Sequence, residues 1–521
     1  MSAGRFGSLS IVGGMTLLSR LLGLVREVLF ARFFGAGLGM DVFVVAFQIP
    51  NFLRRLFAEG AFSQAFVPVV NEYRQNREHA DVRALSDRVA GTMAGILLLL
   101  TIVGVIAAPV LIWLFGSGSA SNPEKFDLAV YMLRITFPYI FFISLTAFAG
   151  GLLNTYDRFG VPAFTPVILN LCLISATLLL APTLERPIVA LAWGVFAAGL
   201  LQLAFQIPFL HGIKLLPNLK FDLQHEGVRR IMTLMLPAIF GASVAQVNLL
   251  IDRKIAWFME TGSISWLYFS DRLLEFPLGL FAIALGTVIL PSLSRDSAAN
   301  DTRAFSHTLD WALRWVVVIA LPAACGLFML AGPMISTVFQ YGEYGAYDVR
   351  MARVSLMAYA LGLMAFSLIK VLIPGFFARQ DTRTPVRIGI IALVFNIVAN
   401  GVLVLLLQFK DIATPHAGLA LTTALAAWVN ALLLLRGLRR NGAYRAVDGW
   451  PLLLGRVVLA CVAMVFVLRM LAGDLAPWLE MTAGDRITRL GLVIVSGACA
   501  YGVVLLTLGL RKHHLTEMAR G

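Results

Sequence analysis

The chain has 521 residues, of which 59% are hydrophobic and 14% charged, with a mean hydropathy of +0.83. Soluble domains are roughly 45–50% apolar and about 25% charged, so this composition excludes a soluble globular domain, a disordered chain, a disulfide scaffold and a coiled coil. An all-α polytopic membrane protein is the class that remains. Its formal net charge is +13 at pH 7, and the location of that surplus should indicate the function.

Stretches of about 20 apolar residues, the length that crosses the hydrocarbon core of a bilayer, mark the predicted elements. The first begins after Arg5 and continues past any small-residue cleavage site, which predicts a retained span and not a cleaved signal peptide. We predict fourteen spans, at 8–30, 41–68, 90–115, 128–153, 161–181, 188–210, 231–258, 266–291, 315–340, 349–377, 386–408, 415–435, 457–473 and 488–510.

The loops between the spans predict the orientation. An even number of spans places both termini on one side, and Lys and Arg are concentrated in the loops of that side, including 69–89, 211–230 and 436–456. By the positive-inside rule, both termini are expected in the cytoplasm. All the loops are short, so no soluble enzymatic domain is expected on either face.

The cysteines and histidines, which often bind metals and cofactors, show no pattern typical of such a site. The four cysteines lie singly in apolar spans, and none of the seven histidines lies in mid-span, which argues against a thiol site, a zinc site or a haem. The chain has no GxxxxGK[ST] phosphate loop, so it is not expected to use ATP itself. We predict no catalytic residues and no cofactor, apart from the monovalent cation considered below.

An internal repeat divides the chain. Gly151 and Asp157 at the exit of the fourth span are matched by Gly375 and Asp381 at the exit of the tenth, each pair 224 residues apart. Six spans separate the copies, so both enter the membrane in the same direction, as in transporters whose two lobes rock around a central site. The predicted domains are an N-terminal lobe at 1–220, a C-terminal lobe at 221–440, and an appended pair of spans at 441–521. The alternative is chance similarity of helix-breaking residues.

Charged side chains inside the predicted spans are unusual, because each costs at least about 2.5–3.5 kcal/mol near mid-bilayer. Those near span ends can snorkel to the interface, whereas the others concentrate in spans one, two and eight. In span one, Arg20 and Glu27 lie on nearly one helical stripe, and Arg26 points about 120° away from it.

Span two carries a polar face around a proline. Gln48, Asn51 and Arg55 share that face and Arg54 borders it, while Pro50 predicts a kink of the kind tolerated beside a cavity.

Span eight opens with a third group of charges, in which Asp271 and Glu275 lie one turn apart around Arg272. A cavity shared by the two predicted lobes would bring these three spans together. The arginines concerned are Arg20, Arg26, Arg54 and Arg272.

Two interpretations of these arginines stay open. In the first they only form ion pairs with acidic side chains inside the spans. Those acids are Glu27, Asp41, Glu59, Asp271 and Glu275. In the second, because basic residues outnumber acidic ones within the spans, the surplus guanidinium groups capture a phosphate or pyrophosphate with their forked donors.

A separate polar group is a candidate cation site. Asp252 in span seven could meet Asn396 and Asn400, which lie one turn apart in span eleven, and together they offer oxygen ligands for a monovalent cation such as sodium. The alternative is that Asp252 pairs with its neighbours Arg253 and Lys254, and that the asparagines form hydrogen bonds between helices.

Three strings resemble one family. SRLLGLVRE at 19–27, PNFLRRLFAEGAFSQAFVP at 50–68 and SWLYFSDRLLEFP at 265–277 are similar to the MurJ (MviN) family of lipid II flippases, and the layout of six, six and two spans covers the whole chain as in that family. The resemblance implies the multidrug/oligosaccharidyl-lipid/polysaccharide exporter fold and a multi-pass protein of the bacterial inner membrane. The implied substrate is lipid II, an undecaprenyl-pyrophosphate-linked disaccharide pentapeptide used in peptidoglycan synthesis.

The resemblance also implies roles for residues. The four arginines match the family's essential cavity arginines, Asp41 and Glu275 their acidic partners, and Asn51 a polar cavity position. Spans 13 and 14 would line a groove for the polyprenyl tail. The chain has Gln48 where some members carry lysine, and Asn400 replaces an acidic residue of the family's sodium site between spans 7, 11 and 12.

Together these features predict a lipid II flippase that works by alternating access. The membrane potential is a candidate energy source, and other cell-wall synthesis proteins are candidate partners. The nearest alternative is a flippase or exporter of another polyprenyl-linked oligosaccharide. A cation-coupled small-molecule antiporter fits the positive surplus less well. A membrane glycosyltransferase would need large loops, and a structural scaffold would not need arginines within spans.

Overall fold

The computed structural model describes residues 3–55, 62–115, 122–409 and 414–510, and every regular element within those ranges is helical. The chain forms two compact units, Met1–Gly262 and Ser263–Gly521. The predicted all-α class is confirmed.

The described part of the first unit contains ten α-helices. They are α1 (Ala3–Phe34), α2 (Leu38–Arg54), α3 (Ser63–Asn76), α4 (His79–Ile106), α5 (Ala108–Phe115), α6 (Pro123–Thr136), α7 (Tyr139–Thr155), α8 (Gly160–Ser175), α9 (Val189–Gly212) and α10 (Glu226–Trp257).

The second unit contains eleven helices in its described part. They are α11 (Ser263–Pro277), α12 (Ile283–Ala298), α13 (Thr302–Met329), α14 (Ala331–Phe339), α15 (Ala346–Ala360), α16 (Leu363–Phe377), α17 (Arg383–Phe409), α18 (Pro415–Arg440), α19 (Trp450–Ala472), α20 (Leu475–Glu480) and α21 (Ala483–Thr507).

Several predicted spans are built from two successive helices, and proline explains some of the breaks. Pro138 separates α6 from α7, and Pro277 ends α11 before a wider helical turn, Leu278–Ala282, that leads into α12. Proline removes a backbone donor and clashes with the preceding turn, so it favours such breaks. In span two, by contrast, α2 runs through Pro50 to Arg54.

The number of spans is a separate question. Within the described residues, nine helices are long and apolar enough to cross a membrane, and ten if Ala346–Ala360 and Leu363–Phe377, bent by 42°, count as one. The chain is therefore a multi-pass membrane protein, while the count of fourteen stays a prediction.

The compact units do not follow the boundaries predicted from the repeat. Helix α10 opens the predicted C-terminal lobe, yet it packs on α3 and α4 in the first unit. Its residues Val228 and Ile231 share a core with Val70 and Leu85. The unit boundary therefore falls after α10, at Gly262 and not at residue 220, because burial of this apolar face holds α10 to its predecessors. The lobes at 1–220, 221–440 and 441–521 stay a prediction about the repeat.

The connector between α9 and α10 lies across α4. The backbone N–H of Lys220 donates to the Asp87 carbonyl (3.1 Å), and the N–H of Asn218 donates to the Asp87 carboxylate (2.9 Å). Gly91 allows this approach, because a Cβ there would lie 2.3 Å from the Lys220 nitrogen. The connector is thus an ordered strap on α4.

Two titratable residues, Asp222 and His225, lie at the end of this strap, next to α10. Burial alone would raise the pKa of Asp222, but hydrogen bonds from the Gln224 N–H, the Arg88 side chain and the His225 N–H hold that pKa below its usual value. Burial, and then the charge of Arg88, lower the pKa of His225, whose Nδ1 accepts the Gly227 N–H (3.2 Å) at the start of α10. Neutral His225 therefore caps this helix.

Helices α19 and α21, the predicted spans 13 and 14, pack on each other and on α13. Polar networks hold them near both ends. Tyr444, in the linker before α19, and Trp450, the first residue of α19, donate to the buried Asp310 of α13 (2.8 Å each). Near the start of α21, the Arg486 Nη1 donates to the Ser336 carbonyl of α14 (2.7 Å).

Candidate functional site

In the first unit, the α1 arginine cluster consists of Arg26, Glu27, Ser19 and Asn170. Arg26 forms an ion pair with Glu27 and donates through Nη1 to the Asn170 amide oxygen (2.8 Å). The Asn170 amide nitrogen donates to the Ser19 carbonyl (2.9 Å). A polar network therefore joins α1 to α8 in a segment that is otherwise apolar.

The two charges of this cluster differ in exposure. The Arg26 side chain is 16% exposed and that of Glu27 is 4% exposed. Arg20, on the same helix, is exposed. The sequence indicated the arginines but missed Asn170, for which the only signal was a lone amide in an apolar stretch.

On α2 the polar face predicted around Pro50 is partly assembled. The Arg54 Nε donates to the Asn51 amide oxygen (3.0 Å), and both residues are half-buried. Gln48 is also half-buried, and its Oε1 accepts no hydrogen bond from any part of the chain that the structure describes. Glu59 lies outside the described residues.

Asp41, at the start of α2, is fully buried. Its Oδ2 lies 3.5 Å from the Lys125 Nζ on α6 and accepts the backbone N–H of Gly262 (2.9 Å). The sequence placed Lys125 in a loop between spans three and four and gave it no role. Burial shows that it belongs to the polar interior of this unit.

In the second unit, the α11 arginine cluster consists of Tyr268, Arg272 and Glu275. The Arg272 Nη1 donates to the Glu275 carboxylate (2.6 Å), and the guanidinium lies over the Tyr268 ring, 4.8 Å from its centroid. The Arg272 side chain is 30% exposed and that of Glu275 is 48% exposed. Asp271 is half-buried beside them. This charge pair is accessible, because neither member is sealed in the core.

The residues of the candidate cation site fall into different units, with Asp252 buried on α10 and the asparagines buried on α17. Asn400 donates through its amide nitrogen to the Asn396 amide oxygen (2.8 Å), and the Thr422 hydroxyl on α18 donates to the Asn400 amide oxygen. Both amide oxygens thus already accept hydrogen bonds. The described ranges contain no cluster of three or more His, Cys, Asp or Glu residues that could hold a metal ion.

Arg314 and Arg486 are buried arginines that the predicted spans placed in loops. Their hydrogen bonds hold neighbouring segments of the chain together. Arg314 donates to the Asp310 carboxylate (2.7 Å) and to the backbone carbonyls of Val447 (3.0 Å) and Asp448 (2.9 Å). Arg486 donates to several acceptors on α14, including the Ser336 carbonyl. Asp310 lies one helical turn from Arg314, but nothing in the local sequence indicated the backbone carbonyl partners, which lie more than 130 residues away.

Accessible and half-buried guanidinium groups therefore occur on α1, α2 and α11, each beside an acid or an amide that orients it. A guanidinium presents donors in a fixed fork that matches two oxygens of a phosphate. The chemistry of these clusters suits a large anion more than a cation.

The helical fold is similar to that of solved membrane transporters. It matches a solved structure described as an inward-facing conformation of a multidrug resistance MATE family transporter of the MOP superfamily, with a TM-score of 0.67 at 14% identity over 84% of this chain and 99% of that one. It also matches a structure described as lipid II flippase MurJ in an inward closed conformation, with a TM-score of 0.76 at 26% identity over 95% of this chain and 97% of that one.

The chain belongs to the MurJ family. The family model described as "Lipid II flippase MurJ" matches residues 30–483. A relative from Haemophilus influenzae, named "Probable lipid II flippase MurJ", is 46% identical over 96% of this chain and 99% of its own length. One from Burkholderia cenocepacia, named "Lipid II flippase MurJ", is 42% identical over 99% of both chains. The family expected from the sequence is confirmed.

Proposed function

We propose that the protein is a lipid II flippase, which moves the undecaprenyl-pyrophosphate-linked peptidoglycan precursor from the cytoplasmic to the outer leaflet. The observation that carries this proposal is the near full-length similarity to relatives that bear this name, at 42–46% identity. A bacterial inner membrane location follows from that role. Cytoplasmic termini follow from the loop charges.

The accessible arginines supply the physical basis of the proposal. The α1 and α11 arginine clusters present guanidinium groups that are held by acids and remain in reach of a ligand. In this role Arg20, Arg26 and Arg54 in the first unit and Arg272 in the second are each candidate ligands for the pyrophosphate. Glu27 orients Arg26 and Glu275 orients Arg272 while the substrate is absent. No covalent bond is made or broken, so the proposal assigns no catalytic residue.

The polyprenyl tail needs an apolar surface while the headgroup crosses. Helices α19 and α21 expose large apolar side chains, among them Phe466 and Leu492. Their attachment to α13 keeps this surface in place. We assign the tail to this surface and the headgroup to the arginines. Alternating access of the two repeat-related lobes would then carry the headgroup across.

The energy source of the cycle is a separate part of the proposal. Positive charge that moves with the lobes would couple transport to the membrane potential, at about 2.3 kcal/mol per charge per 100 mV. A flipping rate unchanged by collapse of the potential would exclude this coupling. A sodium ion held by Asp252, Asn396 and Asn400 requires the asparagine oxygens to exchange their present hydrogen bonds for the ion. A flipping rate independent of sodium would exclude it.

Complementation tests the function and separates it from the nearest alternative. In a strain depleted of its own flippase, lipid II should accumulate and growth should stop. Expression of this chain should restore growth and return the lipid II level to normal. The proposal fails if growth is not restored, or if the chain instead relieves accumulation of another polyprenyl-linked oligosaccharide, such as an O-antigen unit.

A further inference from the structure

Lys125 is a buried cation in the first turn of α6, only 3% exposed. The Asn122 side chain caps this helix by accepting the Lys125 N–H (3.0 Å). The ammonium group lies 3.5 Å from the Asp41 carboxylate and 4.5 Å from the centroid of the Trp257 ring. Lys125 thus links the starts of α2 and α6 to the end of α10.

Asp41 holds a further element. Its Oδ2 accepts the backbone N–H of Gly262 (2.9 Å), and Gly262 has a φ of 102°, which a residue with a side chain adopts only under strain. Gly262 is the last residue of the first unit, and the chain passes between the two units only once, at this point. The ion pair therefore fixes the place where the chain leaves its first unit.

A buried ion pair is weak evidence for stability, since well-packed apolar residues can often replace it without loss. This ion pair matters here because its carboxylate also accepts the Gly262 N–H. The Lys125 ammonium group is a counter-charge beside the Asp41 carboxylate, and a carboxylate is a stronger acceptor for the Gly262 N–H than a neutral group. Without the lysine, this buried carboxylate would lose that counter-charge.

We propose that Lys125 is a positioning residue for transport, which acts through Asp41 to latch the Gly262 crossing to the first unit. The latch sets how freely the crossing moves as the lobes change conformation. This inference rests on the proposed flippase function for its consequence, but the latch itself can be measured without transport.

The test follows the crossing directly. A cysteine at the buried position 263, next to Gly262 (Ser263→Cys), is labelled with a membrane-impermeant maleimide in the full-length protein in nanodiscs, and the protein without this cysteine gives the background from native cysteines. Lys125→Met should raise the labelling rate by about tenfold or more, the equivalent of one lost hydrogen bond to a charged group. Arg186→Met, which removes an exposed cation from the same unit, should leave the rate unchanged.

A second variant separates the latch from a folding defect. Asp41→Asn combined with Lys125→Met leaves no buried charge and retains an amide oxygen for the Gly262 N–H, so labelling should return to within about threefold of the parent rate. The inference is overturned if Lys125→Met labels at the parent rate. It is also overturned if the double variant labels as fast as Lys125→Met, because general loosening of the helices would then explain both.

Transport is the separate readout. Lys125→Met should slow lipid II flipping in proteoliposomes while leaving lipid II binding intact. If the parent protein does not flip lipid II, the proposed function fails and the labelling result still decides the latch. Unchanged flipping together with faster labelling would overturn the role in transport.

Discussion

Two pairs of arginines in this chain have opposite surroundings. The side chains of Arg314 and Arg486 are almost sealed from solvent, and backbone carbonyls and side chains accept their donors. Arg26 and Arg272 also sit beside acids, but 16% and 30% of their side chains stay accessible. The first pair attaches α19 and α21 to α13 and α14, whereas the second stays partly exposed, as the proposed binding role requires.

The difference shows that an ion pair alone does not reveal a role. Arg314 and Arg272 each pair with an acid on their own helix, four and three residues away. They differ in what the rest of each guanidinium group contacts. That of Arg314 also donates to two backbone carbonyls of the linker before α19, while that of Arg272 lies on the face of a tyrosine ring.

The largest expected effect on stability is at Asp310. Asp310→Ala removes the buried acceptor of Arg314, Tyr444 and Trp450 and leaves a buried cation uncompensated, so we expect a loss of about 3–5 kcal/mol. Thermal unfolding in detergent measures this loss. Asp448→Ala is the matched control, because it removes an exposed acid from the linker before α19, and it should change stability by less than about 0.5 kcal/mol. Equal effects of both variants would show that the buried Asp310 network does not stabilise the fold.

Arg486 should come next. Arg486→Leu removes the charged donor that α14 acceptors share, for an expected loss of about 2–3 kcal/mol. The exposed Arg469 lies in an ion pair with Asp474 (3.1 Å), and Arg469→Leu should cost less than about 1 kcal/mol. Hydrogen exchange should show faster exchange at 473–482 for the first variant only. Exchange that is equally fast in both would show that Arg486 does not anchor this end.

Arg272 should behave in the opposite way. Its ion pair is accessible, so Arg272→Ala should change the free energy of unfolding by less than about 1 kcal/mol. Arg272→Lys keeps the charge but loses the forked donors, so pyrophosphate binding should still fall. Native mass spectrometry with undecaprenyl pyrophosphate measures the binding. A lysine variant that binds as tightly as the parent would show that charge alone suffices.

The smallest expected effect concerns His225, outside the spans. Because burial lowers its pKa in the fold, the unfolded state binds the proton more readily, and the cap on α10 is present at high pH and lost as pH falls below about 6.5. The protection of the Glu226–Ile231 amides, measured as exchange relative to the intrinsic rate at each pH, should therefore fall a few-fold between pH 7.5 and 5.5. His225→Asn keeps a cap acceptor without this titration, so its protection should not change with pH. Protection that is also independent of pH in the parent protein would exclude the histidine cap.

The sequence was most informative where a charge interrupts an apolar run. Arg26, Glu27 and Arg272 stood out because membrane spans rarely carry charge, and the family strings around them were long. The helical class followed from composition in the same way. Contacts between segments that are distant in the sequence could not be predicted from it. Asn170, Lys125 and Asp310 acquire their partners only through packing, and a loop boundary drawn from hydropathy hid the burial of Lys125.

The unit boundary illustrates the same limit. A repeat in sequence predicts which helices are equivalent, but the packing partner of a helix depends on the apolar face that it buries. Helix α10 therefore groups with α3 and α4 although the repeat assigns it to the second lobe.

The central claim is that accessible arginines bind the lipid-linked pyrophosphate, and lipid II flipping by Arg272→Ala tests it most directly. Purified variants in proteoliposomes with fluorescent lipid II report the fraction of label that crosses the bilayer. We predict that the parent protein flips lipid II and that Arg272→Ala does not, although its unfolding temperature is unchanged. Flipping by Arg272→Ala at the parent rate would contradict the account.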